Sequence, residues 1–168
     1  LMEMILLEAK ELCNADGGTL YLRTDDDRLK FEIMRTDSLN IAMGGTTGKT
    51  ISFPPLNLFD PTTGDANTKN VATYTAVTGK SINIPDAYDS DEFDFSGTKK
   101  FDEGTGYRSK SFLTVPLKNN QEEIIGVLQL LNAQDRETND VIAFGSDIQP
   151  LIEALSSQAA VALDNQQL

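Results

Sequence analysis

Two strand–turn–strand patterns, far apart in the chain and each with one apolar side, limit what this sequence can fold into. In the first, Thr19-Leu20-Tyr21-Leu22-Arg23 runs into the polar turn Thr24-Asp25-Asp26-Asp27-Arg28. Leu29, Phe31 and Ile33 then alternate with Lys30, Glu32 and Met34. In the second, Phe112 to Leu117 and Ile124 to Leu131 flank the polar turn Lys118 to Glu123. Period-two alternation around a turn predicts antiparallel hairpins with a buried face. That face needs a cover, and both ends of the chain supply one. Leu1 to Cys13 places Ile5, Ala9 and Leu12 on one helical face, and Asn14-Ala15-Asp16-Gly17-Gly18 reads as the turn that ends this helix. A second helix starts near Ile148, tolerates Pro150 in its first turn, and carries a stripe of Ile148, Leu151, Ile152, Leu155, Ala159 and Ala162.

Between the hairpins the pattern is less regular. Gly44 to Asn67 holds Pro54, Pro55 and Pro61 and reads as a long loop. Asn67 to Thr78 reads as a helix closed by Gly79, and Ser81 to Ile84 as a short strand ended by Pro85. Asp86 to Thr105 is acidic and aromatic without a clear period. The order of elements predicts an α+β domain, an antiparallel β-sheet with the N- and C-terminal helices packed together on one face. The 168 residues suit one domain, 1–168. Both terminal helices can run on, so the expectation is a domain excised from a larger multidomain protein.

Charge and composition remove several function classes. With 14 basic and 26 acidic residues the net charge is −12, a field that repels nucleic-acid backbones and anionic membranes. No stretch approaches the roughly 20 apolar residues of a bilayer span. Histidine is absent, so imidazole-based nucleophilic catalysis, metal ligation and phosphorelay are unavailable. One cysteine, Cys13, permits no intrachain disulfide and suits a cytoplasmic setting. It also cannot supply the resolving pair that thiol redox catalysis needs. The chain is therefore expected not to be an enzyme and to hold no metal.

Three local patterns invite sharper readings. Gly44-Gly45-Thr46-Thr47-Gly48-Lys49-Thr50 resembles a phosphate loop, but Met43 stands where the first glycine belongs and Pro54-Pro55 blocks the helix that should follow; a plain Gly/Thr turn is favoured. Asp89, Asp91, Glu92 and Asp94 miss the calcium-loop spacing, and a solvated acidic loop explains them. Cys13 has no basic neighbour in sequence to activate it.

Several blocks in fixed order carry a resemblance across nearly the whole chain. These are Ala15-Asp16-Gly17-Gly18-Thr19-Leu20-Tyr21-Leu22; Val71-Ala72 followed by Thr78-Gly79-Lys80-Ser81-Ile82-Asn83-Ile84-Pro85-Asp86-Ala87-Tyr88; Asp102 to Ser111 running into Phe112-Leu113-Thr114-Val115-Pro116-Leu117; and Ile125 to Asn132 with Ser157 to Asn165. Together they resemble GAF domains, most of all those of cyclic-nucleotide phosphodiesterases and adenylate cyclases, as found in bacterial signalling proteins. The resemblance implies a helix-and-loop lid over a ligand pocket on the sheet face away from the terminal helices. It implies a regulatory sensor domain in signal transduction that binds a small molecule, with cAMP or cGMP as a ligand, and controls a linked phosphohydrolase, cyclase or kinase. By position, Thr19 and Gln129 would form the pocket floor and Met34 would pack on the ligand. Val71 and Ala72 would offer backbone N–H groups to a phosphate. Asp102, Thr105 and Ser109 would line the lid and the base or ribose edge.

The sequence departs from that subgroup in one region. An Asn-Lys pair is expected after the last long strand, followed by a Phe and an Asp, with Lys and Asp paired. Asn132 and Phe144 are kept, Ala133 replaces the lysine, and Asp147 follows Phe144 one position early. Arg35 also stands where some cGMP binders carry an acid. The alternative is a dimerisation or relay module with another ligand or none, and a homodimer through the terminal helices is compatible with either reading.

Overall fold

The computed structural model describes residues 1–166. The first helix, α1 (Met2–Cys13), stops at Asn14, which takes the left-handed conformation at φ 51°. β1 (Ala15–Arg23) begins at once, so Asp16-Gly17-Gly18 lies inside the strand and not in a turn before it. Crowding explains the glycines. A Cβ on Gly18 would stand 2.7 Å from the Leu6 side chain of α1, and one on Gly17 2.9 Å from the Arg35 carbonyl oxygen.

β1 turns into β2 (Arg28–Thr36), followed by the short strands β3 (Ile41–Gly44) and β4 (Leu56–Asn57). Helix α2 (Val71–Thr78) starts later than Asn67 because Asn70 is its cap, its Oδ1 accepting from Thr73 N at 3.1 Å. β5 (Ile82–Ile84) leads to helix α3 (Ser96–Thr105), in a segment whose sequence shows no period. Among its ten residues Phe101 is the one large apolar side chain, and Gly97 and Gly104 weaken the helical signal. β6 (Phe112–Lys118) and β7 (Ile124–Gln134) form the second hairpin; β8 (Val141–Ile142) and α4 (Gln149–Gln166) complete the chain.

The strands form one antiparallel sheet in the order β3-β2-β1-β7-β6-β5, with β4 paired to β2 and β8 to β7. The α+β expectation holds, and β3, β4 and β8 are too short to show in the sequence pattern. One sheet face carries Leu20, Ile33, Leu113, Leu128 and Leu130, which meet Leu6 and Ala9 of α1 and Ile152, Ala160 and Leu163 of α4. The residues between them on the same strands face the other way, toward α2 and α3. Among the described residues no helix is long and apolar enough to cross a membrane.

The missing lysine has a structural substitute. Ala133 is buried in the apolar layer under the terminal helices and pairs with Ile142 of β8. A lysine here would strand its charge. The return segment is held instead by three neutral contacts. Ser111 Oγ donates to the Ile142 carbonyl at 2.7 Å, Asn83 Nδ2 to that of Phe144 at 3.0 Å, and the Phe144 ring is buried in the core.

Candidate functional site: a cavity between sheet and lid

The sheet face away from the terminal helices is built of cross-strand rows. Register places Met34, Thr19, Gln129 and Thr114 side by side across β2, β1, β7 and β6. This polar row is bordered on one side by Tyr21, Phe31 and Val127, and on the other by Thr36, Gly17, Leu131 and Phe112. Above it lies a cavity of about 310 Å³, at the small end of the range for ligand pockets. Its floor includes Thr19, Met34 and Gln129. Its roof is the start of α2 (Asn70, Val71, Ala72) and the first turns of α3 (Gly97, Thr98, Phe101), with Phe53 at the side.

Helix starts face this space for a physical reason. The first N–H groups of a helix lack intrahelical partners. In α2, Thr73 N is taken by the Asn70 side chain and Tyr74 N by the Asn70 carbonyl. Those of Val71 and Ala72 remain, at the positive end of the helix dipole, and both residues border the cavity. A small anion can therefore be held here although the chain is strongly acidic. Arg35 also borders the cavity, but Met34 beside it faces the floor and alternation turns the arginine side chain through to the helix face. There its Nη2 donates to Glu3 Oε2 of α1 at 3.2 Å. The guanidinium is thus directed away from the ligand space.

Of the expected site residues, Thr19, Met34, Val71, Ala72, Ser109 and Gln129 border one cavity. Asp102 and Thr105 stand apart. Asp102 is 4% exposed, and its carboxylate accepts from Ser109 N (2.9 Å), Ser109 Oγ (2.8 Å) and Tyr88 Oη (2.6 Å). It pins α3 to the loop that leads into β6 and to Tyr88 after β5. That contact raises the Tyr88 hydroxyl above its ordinary pKa. Thr105 is exposed at the end of α3 and donates to the Phe101 carbonyl at 2.8 Å. Sequence reasoning missed Asn70, Phe31, Phe53, Phe95 and Phe101. A helix-capping signal at Asn70 was readable; the aromatic residues come together only through the fold.

A second network fastens the segment beneath the lid. Asn132, at φ 54°, accepts at Oδ1 from Lys110 N (2.7 Å) and Ser111 N (3.1 Å). Its Nδ2 donates to Tyr107 Oη and the Arg108 carbonyl, both at 2.9 Å. Tyr107 Oη in turn donates to Asp16 at 2.6 Å, and burial with that carboxylate raises the phenol far above its ordinary range. The retained asparagine thus ties the lid segment to the sheet. Among the described residues no three His, Cys, Asp or Glu side chains gather to hold a metal ion. Burial pushes the Cys13 thiol up to about 12, which leaves it unreactive.

Comparison with known proteins agrees with this architecture. The family described as GAF domain matches residues 1–163. The dual 3′,5′-cyclic-AMP and -GMP phosphodiesterase 11A of Takifugu rubripes is 33% identical over 100 residues, 60% of this chain. The dual 3′,5′-cyclic-AMP and -GMP phosphodiesterase 11 of Drosophila melanogaster is 37% identical over 67 residues, 40% of this chain. The matches span 10% and 4% of those two proteins' lengths. Among solved structures, the GAF domain of an Acinetobacter phosphoenolpyruvate-protein phosphotransferase superposes with TM-score 0.63 at 14% identity, covering 98% of this chain and 81% of that one. The GAF-B domain of DevS from Mycobacterium smegmatis gives 0.58 at 17%, covering 98% and 92%. These structures share the fold. With the family match running through almost the whole chain, this protein belongs to the GAF domain family, regulatory sensor domains of signalling proteins.

Proposed function

We propose that the cavity binds a purine cyclic mononucleotide, cAMP or cGMP, and that its occupancy controls a linked output domain, a phosphohydrolase, cyclase or kinase, in a cytoplasmic signalling protein. The observation that carries the reading is the pairing of two features across one small space. The hydroxyl of Thr19 and the amide of Gln129 lie side by side on the floor, and the N–H groups of Val71 and Ala72 border the roof. The aromatic side chains on the wall suit a planar heterocycle, the floor row together with Thr36, Thr98 and Asp94 suits its polar edge, and the helix start suits a phosphate. The names of the matched relatives, which act on both nucleotides, support the choice of ligand.

Thermal unfolding with each nucleotide tests the proposal. At 100 times the dissociation constant the ligand should add about 2.7 kcal/mol, a shift of a few degrees. Val71→Pro removes one roof donor, and Val71→Ala controls for the buried side chain lost with it. Asn70 is extended at φ −92°, ψ 138°, as a residue before proline must be, and the first helical position tolerates proline. The variant should fold, lose one N–H donor, and weaken both nucleotides at least tenfold by calorimetry. Unchanged affinity places the phosphate elsewhere.

A second copy of the chain is the partner we propose for the terminal helices. Met4 on α1 is 68% exposed and Leu151 on α4 57%, although both helices are packed on the sheet. The double variant Met4→Lys, Leu151→Lys should sediment as a monomer at concentrations where the wild type is a dimer. A wild-type monomer at high micromolar concentration rejects this partner.

A further inference from the structure

The loop between β3 and β4 touches both faces of the sheet. Its near end reverses through Gly44, Gly45 and Gly48, at φ 82°, 58° and 79°. Gly44 N donates to the Lys49 carbonyl at 2.7 Å, which closes a compact turn. Glu3 of α1 fills that turn. Its carboxylate accepts from Thr46 N, from Thr46 Oγ1 at 3.1 Å and from Arg35 Nη2 at 3.2 Å. The Thr46 N–H, with the hydroxyl behind it, holds the Glu3 carboxyl below its ordinary range. The Gly/Thr turn that resembles a phosphate loop in sequence is therefore occupied by the chain's own carboxylate.

The far end of the same loop reaches the ligand cavity. Phe53 borders it while 43% exposed, its ring centroid 5.5 Å from that of Phe31, which lies 4.8 Å from that of Tyr21. A phenylalanine left half in water at a cavity mouth gains burial when a planar molecule lies against it. Seven positions separate Thr46 from Phe53, so both contacts lie on one short segment. Glycine at Gly44, Gly45 and Gly48 lets the backbone of this turn change conformation at low steric cost.

We propose that Phe53 is a ligand-contacting residue of this cavity and that the segment 45–55 carries its position to Glu3 on α1. This inference rests on the cavity's being the ligand site. Occupancy that draws Phe53 inward favours the arrangement in which Thr46 meets Glu3, so ligand and clasp reinforce each other. By reciprocity, loss of the clasp weakens the ligand by the factor with which the ligand strengthens the clasp.

The test uses calorimetry with cAMP and cGMP, amide exchange of α1, and a fluorine resonance from 4-fluorophenylalanine introduced at position 53. Phe53→Ala should weaken nucleotide binding roughly tenfold or more, the effect of removing one stacking partner. Glu3→Gln should weaken it a few-fold and abolish the rise in α1 protection that nucleotide produces in the wild type. In the free protein Glu3→Gln should also shift the fluorine resonance at position 53. Wild-type affinity in Phe53→Ala overturns the proposal, as does a Glu3→Gln variant whose α1 response and fluorine resonance both stay as in the wild type. If the wild type binds neither nucleotide, Phe53 as a ligand contact falls with the nucleotide reading. The link from Phe53 to α1 is then decided by the fluorine resonance alone, and an unmoved line rejects it.

Discussion

Asn132→Ala is expected to destabilise the chain by about 3–5 kcal/mol, a large share of a single domain's stability. The side chain is buried and makes four hydrogen bonds, two accepted from Lys110 and Ser111 N–H groups and two donated to Tyr107 and Arg108. Alanine leaves the buried Ser111 N–H and the half-buried Lys110 N–H without their acceptor, together about 2–3 kcal/mol. It also places a Cβ-bearing residue with no local hydrogen bond at φ 54°, which costs about 1–2 kcal/mol more. Urea denaturation measures the sum, and Asn132→Gly separates the parts. Glycine accepts the left-handed backbone freely and should recover about 1 kcal/mol while losing the same four bonds. A loss below about 1 kcal/mol in Asn132→Ala would falsify the view that this side chain anchors the lid segment.

Asp102→Ala should cost about 2–4 kcal/mol and weaken nucleotide binding without changing the response at saturation. Three donors converge on this carboxylate, and Ser109 N–H and hydroxyl approach opposite oxygens. Alanine strands a buried N–H and two hydroxyls. Asp102→Asn recovers little, because its Nδ2 then confronts a donor where an acceptor stood. The expectation from family position, a direct contact to the base or ribose, predicts the reverse pattern of near-normal stability with lost affinity. Urea unfolding and calorimetry on the same variant separate the two. Because Asp102 borders Ser109 and not the cavity, stability and affinity should fall together as α3 loosens.

The sequence carried the sheet and terminal helices legibly because both rest on local periodicity. Alternation at Leu20 and Leu22 and most of the apolar stripe of α4 survive in the folded chain. A register shift opposite Leu20 and Tyr21 turns Leu29 and Phe31 to the α2 side while Ile33 stays under the terminal helices, so the first hairpin is apolar on both faces and not on one. Helix α3 was illegible because it buries one carboxylate, Asp102, in place of an apolar stripe. The Gly17-Gly18 pair looks like a turn in sequence, yet the close approach of α1 and β2 demands it within a strand, and that demand is tertiary. Six of the expected site residues border one cavity because cross-strand register and a helix start put them there. Asp102 and Phe53 show the limit. Whether a side chain meets a ligand or a neighbouring hydroxyl depends on packing angles that no spacing encodes.

The two-sidedness of β1 and β7 has an evolutionary consequence. Thr19 and Gln129 look into the cavity, while Leu20, Leu128 and Leu130 on the same strands seat the terminal helices. Since neighbouring residues answer to different faces, mutation can redraw the chemistry of the pocket one alternate position at a time and leave the helix bed intact. A lineage can thus exchange one stimulus for another while inheriting the same mechanical output. The converse also follows, since helices can be refitted to a new effector without erasing what the domain senses.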